Sequence, residues 1–421
     1  MTATVPAPLS VPEVSLREYG PAVSVPLDRA SGRALAASGI LHSATPDPAR
    51  EGHWLLRAGS RVGAVRTAGG VVVRIAPKTP VRRLFFLLGF SLDPARAWRD
   101  SREDTVDTGA YEDVVPALAH AVERQIDGAL RLGVLQGYRE VAESALVVRG
   151  RLREAEQIRR HHGRTPPVEI VHDVYSADTA ENRLLRAAVE RLLRLPGVPG
   201  PVRRRLAHQR VRLADASPLV RGQALPRWQP SRLNRRYQPA LRLAEAVLRG
   251  ASPEHRPPGA DALAVDGFLL DMNQLFEDFV TVGLRAALRE LGLTARLQDP
   301  HHLDTAGLVR IRPDLVATTA DGRTPVAVVD AKYKVERADG LLNADLYQAL
   351  AYATVLGLRE AHLVYAAGRW PERSHEVRGT AAGPGGPGVR LYQHSLDLSR
   401  DPDQLLSALR EMAGRLAGAA S

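Results

Sequence analysis

The segment Pro325-Val-Ala-Val-Val-Asp-Ala-Lys332 constrains the fold more than any other part of the chain. Its short apolar run reads as a strand buried on both faces, and Asp330 stands at the end of that run. A strand sends residues i and i+2 to the same side, so Asp330 and Lys332 share a face. Thr319 to Thr324 reads as a turn, and Arg310 to Ala317, which contains Pro313-Asp314, as the strand before it. Two adjacent strands therefore bring Asp314, Asp330 and Lys332 together. Burying a carboxylate is costly unless something compensates it. A divalent cation does so, and two carboxylates suit Mg²⁺. The alternative is a structural Asp–Lys salt bridge at a strand end.

Phosphodiester hydrolysis needs such a cation, which neutralises the phosphate, lowers the pKa of a bound water and offsets charge on the leaving oxygen. A nearby lysine can orient or help deprotonate that water and offset transition-state charge. Lysine is rare here: of 57 basic residues only Lys78, Lys332 and Lys334 are lysine. Arginine is permanently charged and planar, whereas a lysine amine can tune its pKa. Two helices add candidates. Met272 to Leu291 is amphipathic and carries Glu277 among apolar residues, and Asn343 to Leu356 carries Gln348 and Tyr352 four residues apart on one face.

The length of 421 residues allows about two to three domains. With 44% hydrophobic and 25% charged residues the chain can bury real cores. The absence of cysteine excludes disulfides, thiol catalysis, iron–sulfur clusters and Cys-based zinc sites. The longest apolar run, Leu84 to Leu92, is about half of the roughly 18 residues a bilayer span needs. No secretory signal is evident, so a cytoplasmic protein with no membrane partner is expected. The net charge of +10 points to a polyanion such as nucleic acid.

The expected architecture is a multidomain α/β chain. Residues 1–105 form a β-rich, barrel-like domain, with strands at Val11 to Glu18, Arg61 to Arg66 and Val71 to Ala76, and a helix at Val81 to Gly89. Residues 106–260 form a mainly helical, Arg-rich middle region, with helices at Val115 to Leu135 and Ala180 to Leu195 and short strands at Ser144 to Leu152 and Val168 to Val174. Its window Arg203 to Arg249 holds 12 arginines against two acids, so Arg203, Arg204, Arg205, Arg235 and Arg236 are candidate phosphate contacts. Trp228 and Tyr237 are either stacking platforms or core residues. A Pro-rich linker, Ala251 to Asp261, precedes an α/β domain over 261–421, in which Lys334 is a further candidate DNA contact.

Glu277, Pro313-Asp314, Asp330-Ala-Lys332 and Gln348-x-x-x-Tyr352 resemble the PD-(D/E)xK nuclease signature in its RecB-like version, with Asp330 where many members have glutamate. A longer resemblance, to the McrC family of the McrBC modification-dependent (type IV) restriction system, runs across almost the whole chain. Its segments are Val14-Ser-Leu-Arg-Glu-Tyr-Gly20, Ile75-Ala-Pro-Lys-Thr79, Gly133-Val-Leu-Gln-Gly-Tyr138, Arg149-Gly-Arg-Leu152, Glu181-Asn-Arg-Leu-Leu185 and Asn234-Arg-Arg-Tyr237. The resemblance implies a restriction-endonuclease-like C-terminal domain that cuts DNA with Mg²⁺, or with Mn²⁺ in its place. It implies Asp314, Asp330, Glu277 and the Ala331 carbonyl as metal ligands, Lys332 as the catalytic lysine, and Gln348 with Tyr352 in support. It also implies partners: DNA carrying 5-methylcytosine, an AAA+ GTPase of McrB type that the N-terminal part engages and stimulates, and self-association for double-strand cutting. The chain has no Gly-Lys dipeptide and hence no Walker A loop, so another chain must supply any nucleotide hydrolysis. Two rivals share the motif: a stand-alone repair or processing nuclease, and a non-catalytic subunit that only activates the motor.

Overall fold

A computed structural model describes residues 13–67, 69–92, 111–220, 223–249, 266–333, 343–366, 372–377 and 388–418. The linker Ala251 to Asp261 and Lys334 lie outside the described residues. Two compact units are present, one drawn from Met1–Gly63, Val73–Val114 and Leu269–Ser421, the other from Ala64–Val72 and Val115–Phe268.

In chain order the elements begin with β1 (Glu13–Arg17), β2 (Val23–Pro26), α1 (Arg29–Ser38), β3 (Ser43–Pro46), β4 (His53–Arg57), β5 (Arg61–Arg66), β6 (Val72–Ala76) and α2 (Val81–Leu92). The middle holds α3 (Val114–Leu130), β7 (Gly137–Ala145), β8 (Arg151–Leu152), α4 (Glu154–His161), β9 (Val168–Ser176), α5 (Ala180–Arg194), α6 (Gly200–Arg212) and α7 (Gln238–Arg249). Then come β10 (Asp266–Asp271), α8 (Met272–Glu290), β11 (Thr294–Leu297), β12 (His301–His302), β13 (Arg310–Ile311), β14 (Leu315–Thr318) and β15 (Pro325–Lys332). The chain closes with α9 (Asn343–Leu356), β16 (Glu360–Tyr365), β17 (Arg373–Val377), β18 (Val389–Ser395) and α10 (Pro402–Gly418).

The N-terminal strands do not close into the expected barrel. They divide between an antiparallel sheet β2-β4-β3 and a second sheet β1-β6-β5-β10. β10, from far downstream, pairs with β5, and the end strands of this sheet, β1 and β10, do not pair with each other. The strand expected over Ser144 to Leu152 is also different: β7 ends at Ala145, and pairing resumes only at Arg151. Nine consecutive pairs, from Gly137 with Ser176 to Ala145 with Val168, join β7 to β9.

Several segments that carry the family resemblance turn out to be hydrogen-bonded locks. Asn182 Nδ2 donates to the Leu135 carbonyl at 2.7 Å, and the Leu135 N–H donates to Tyr237 Oη at 2.8 Å. Asn234 Nδ2 donates to Glu181 Oε1 at 2.9 Å. Tyr237 is fully buried and so belongs to the core, not to a base-stacking surface.

The sheet that positions the acidic and lysine residues runs β11-β14-β15-β16-β18-β17. Its β14–β15 pair is antiparallel and its β15–β16 and β16–β18 pairs are parallel. Alternation along β15 gives its two faces different neighbours. Val328 packs with Val316, Leu363 and the α9 residues Ala349, Tyr352 and Ala353. Tyr333, of opposite parity, meets Phe276 of α8. Each fully buried valine or leucine stabilises by roughly 1.5–3 kcal/mol. The apolar residues therefore hold the strand, and it tolerates Asp330 at its end. Among the described residues no helix is long and apolar enough to cross a membrane.

Local signals explain α1. Asp28 caps it by accepting the Ser31 N–H at 2.8 Å, and Gly39 ends it at φ 64°. Gly32, buried on this helix, faces the Trp54 ring, and an added Cβ would lie 1.9 Å from it. Gly32→Ala should therefore destabilise the protein by about 1–3 kcal/mol through overpacking. Urea unfolding measures this, and a change under about 0.5 kcal/mol would show that the ring can move aside.

Candidate functional site

Leu315, the first residue of β14, pairs with Val329, so Asp314, just before that strand, comes beside Asp330, whose carboxyl feels its charge. Asp314 is 8% exposed and Asp330 3%. Asp314 is held on both oxygens: Oδ2 accepts the Ala331 N–H at 2.8 Å and Oδ1 accepts Gln298 Nε2 at 2.9 Å. The Lys332 ammonium lies 2.6 Å from Asp330 Oδ2. Burial, followed by the Asp314 charge, pushes the Asp330 carboxyl up to about 6 despite that ammonium. Burial raises Asp314 as well, opposed by the Ala331 amide and reinforced by Glu277. For Lys332 burial acts in the lowering direction, but Asp330, Asp314 and Asp345 outweigh it and raise its pKa. At neutral pH Lys332 is therefore a cation.

Glu277 is half-buried on α8, and burial, with the charges of Asp278 and Asp330, raises its carboxyl. Its Oε1 accepts a hydrogen bond from the same Gln298 Nε2 that reaches Asp314. Gln298 thus joins the helix acid to the strand acid. It does so from a left-handed backbone, φ 50°, which costs a non-glycine residue about 1 kcal/mol or more. Its N–H donates to the Asp314 carbonyl at 3.0 Å and its carbonyl accepts Arg312 Nε at 3.0 Å, which fixes that conformation.

Gln348 and Tyr352 act on the same segment. Gln348 Nε2 donates to Tyr352 Oη at 2.7 Å, and Tyr352 Oη donates to the Arg312 carbonyl at 3.3 Å. Burial, with the Asp330 charge, pushes the Tyr352 phenol up to about 12, so it remains a donor. The helix pair therefore pins the backbone two residues before Asp314.

The structure brings together Glu277, Asp314, Asp330, Lys332, Gln348 and Tyr352. Ala331 joins them through its N–H. The arginines expected to contact DNA belong to the other unit. Arg203 donates to the Leu193 and Leu195 carbonyls at the end of α5. Arg205 pairs with Glu123 at 3.0 Å, and Arg236 donates to the Gly133 carbonyl at 2.9 Å. Arg204 and Arg235 are exposed. Sequence reading missed Gln298 and Asp345. Asp345 is 3% exposed on α9, accepts from Tyr365 Oη at 3.3 Å and adds its charge at Asp330 and Lys332. Asp345 lies one turn before Gln348 on the same helix face, a spacing that could have found it. Gln298 had no signal, because its role depends on a backbone turn.

The donor set suits a hard cation. Two buried carboxylates repel each other, and a cation between them relieves both burial and repulsion. Among the described residues no three His, Asp or Glu side chains form a ready metal cage.

Residues 56–366 match the family model of the McrBC 5-methylcytosine restriction system component. The chain belongs to this family. No curated protein matches it. It is similar to a chain in the tetradecameric assembly of Thermococcus gammatolerans McrB AAA+ hexamers with bound McrC. That match has 17% identity and a TM-score of 0.56, and covers 96% of this chain and 100% of that one. A second match, in the Thermococcus gammatolerans McrBC complex, has 19% identity and a TM-score of 0.40, and covers 66% and 88%. For this McrBC component the first likeness supports the fold.

A carboxyl with a raised folded-state pKa binds its proton more tightly when folded, so it favours folding most at low pH. The metal-free protein should lose stability as pH rises from about 4 to about 6, by on the order of 3 kcal/mol from Asp330. Asp330→Asn should flatten that slope in thermal melts across this range. An unchanged slope would remove Asp330 as its source. Gln298→Ala leaves Glu277 and Asp314 without their shared donor and should cost about 1–3 kcal/mol in urea unfolding. A loss under about 0.5 kcal/mol would deny the clasp any structural weight.

Proposed function

We propose that this McrBC component is the DNA-cutting subunit of a modification-dependent restriction system, a Mg²⁺-dependent endonuclease that works with a partner AAA+ GTPase. The observation that carries the reading is Asp314 beside Asp330, with Lys332 as a cation 2.6 Å from Asp330. Asp314 and Asp330 would hold the ion, with Glu277 beside them. When bound, Mg²⁺ supplies charge neutralisation at the scissile phosphate and activation of the attacking water. Lys332, already an ammonium, orients that water and offsets the negative charge that grows in the transition state. Gln298 keeps Glu277 and Asp314 oriented, and Tyr352 keeps the Arg312–Asp314 backbone in place, so the acids need little rearrangement on binding.

Family membership supports a partner GTPase, and the sequence is consistent with one. With no Walker A lysine it supplies no nucleotide site of that kind. The related assembly from Thermococcus gammatolerans holds McrB AAA+ hexamers with bound McrC. Recognition of 5-methylcytosine would then reside in the partner.

The test is cleavage of methylated and unmethylated plasmid with Mg²⁺, with and without the partner GTPase and GTP. Wild type should cut methylated plasmid only with partner and GTP. Asp330→Asn and Lys332→Ala should each lose at least about 10²-fold. Cutting by Asp330→Asn at the wild-type rate would refute the site. Cutting by the chain alone, indifferent to methylation, would make it a stand-alone nuclease.

A further inference from the structure

Between Gln298 and Asp314 the chain leaves the sheet, runs out along β12, turns, and returns along β13. His301 pairs with Ile311 and His302 with Arg310. The hairpin is rooted in the acid cluster, because its two ends are Gln298 and Arg312, which bond to each other and to Asp314 or Tyr352.

The tip of this hairpin is apolar and exposed: Leu308 is 82% exposed, Val309 48% and Leu303 47%. It is also rigidly built. Asp304 accepts the Val309 N–H at 2.7 Å and the Leu308 N–H at 3.1 Å. The Leu303 N–H donates to the Val309 carbonyl at 2.8 Å, and Gly307 takes the left-handed turn at φ 70°. A floppy loop with an exposed leucine needs no partner. A turn held by two side-chain hydrogen bonds keeps its exposed leucine in one place. Its flanks carry the exposed Arg310 and Arg312. The nearby acids are engaged: Asp299 is paired with Arg296 at 3.2 Å and with His301 at 2.9 Å, and Asp304 accepts from the turn amides. What the hairpin offers outward is arginine below and leucine at the end.

We infer that this hairpin grips the duplex beside the cutting site, with Arg310 on the phosphate backbone and Leu308 as an apolar wedge in the groove. The inference rests on the nuclease reading above. Apolar wedges that unstack a base step are an established way for proteins to hold and bend DNA. A wedge rooted at Gln298 and Arg312 would set the backbone at a fixed distance from Asp314, so grip and chemistry would share one frame.

The test uses the full chain without divalent cation, so that nothing is cut, and a fluorescently labelled duplex titrated across KCl concentrations. Arg310→Ala should lower the slope of log affinity against log salt by about one. Leu308→Ser should weaken binding on the order of tenfold and abolish the fluorescence rise of 2-aminopurine that wild type produces by unstacking. Thermal melting of both variants should match wild type, since both side chains are exposed. If wild type cuts plasmid while both variants bind duplex with unchanged affinity and slope, the hairpin inference is overturned and the nuclease reading stands. If the variants bind DNA normally but lose stimulation of the partner GTPase, the tip meets protein and the inference is likewise overturned. If wild type neither binds nor cuts DNA, with or without the partner, the nuclease reading itself falls.

Discussion

Asp314 and Asp330 lie beside each other in an apolar sheet. Even after relaxation, burying an ionised carboxylate costs several kcal/mol. Their mutual repulsion adds to that, which is why Asp330 holds its proton up to about pH 6. The surroundings read as compensation. Ala331 gives an amide to Asp314, Lys332 an ammonium to Asp330, and Gln298 an amide hydrogen shared by Asp314 and Glu277. None of these removes the excess negative charge of three acids and Asp345 against one lysine. The cluster is thus left electrostatically incomplete in a way that a divalent cation would complete.

The supporting residues act by fixing backbone. Asp314 has its place because the Arg312 carbonyl, two residues before it, is held by Tyr352 from α9, and because Gln298, in a strained conformation, bonds both to its carbonyl and to its side chain. A strained residue persists only where its neighbours over-determine it. Gln298 has four such bonds, counting Arg312 and Glu277. The same bonds root the hairpin that leaves the sheet there.

The six candidate residues that the structure brings together were legible because each obeys a short-range rule. Asp330 and Lys332 follow strand alternation, Asp314 follows the turn between two strands, Gln348 and Tyr352 follow helix spacing, and Glu277 interrupts an apolar helix face. What stayed hidden depends on long-range pairing. Nothing local says that β10 will add to the edge of β5, so strand density suggested a barrel where two open sheets form. The strands β2, β3 and β4 are only four or five residues long, too short to stand out alone. The arginine run was visible as charge. Its partners, the Leu193 and Leu195 carbonyls for Arg203 and buried Glu123 for Arg205, are set by helix packing and were not.

The resemblance to the family and the chemistry of the site rest on different residues, and this bears on how either should be read. Asn182, Tyr237 and Asn234 lie in quoted family segments yet serve as buried locks between loops and helices. Glu18 does similar work: its carboxylate accepts the Lys78 N–H at 3.0 Å, while the Lys78 ammonium lies over the Tyr19 and Tyr333 rings. Tyr333 directly follows Lys332, so two N-terminal segments brace the end of the strand that carries the lysine. A chain could keep all these locks, and with them the family likeness, after losing Asp314 or Asp330. Likeness therefore speaks for the scaffold, and only the acid pair with its lysine speaks for cutting.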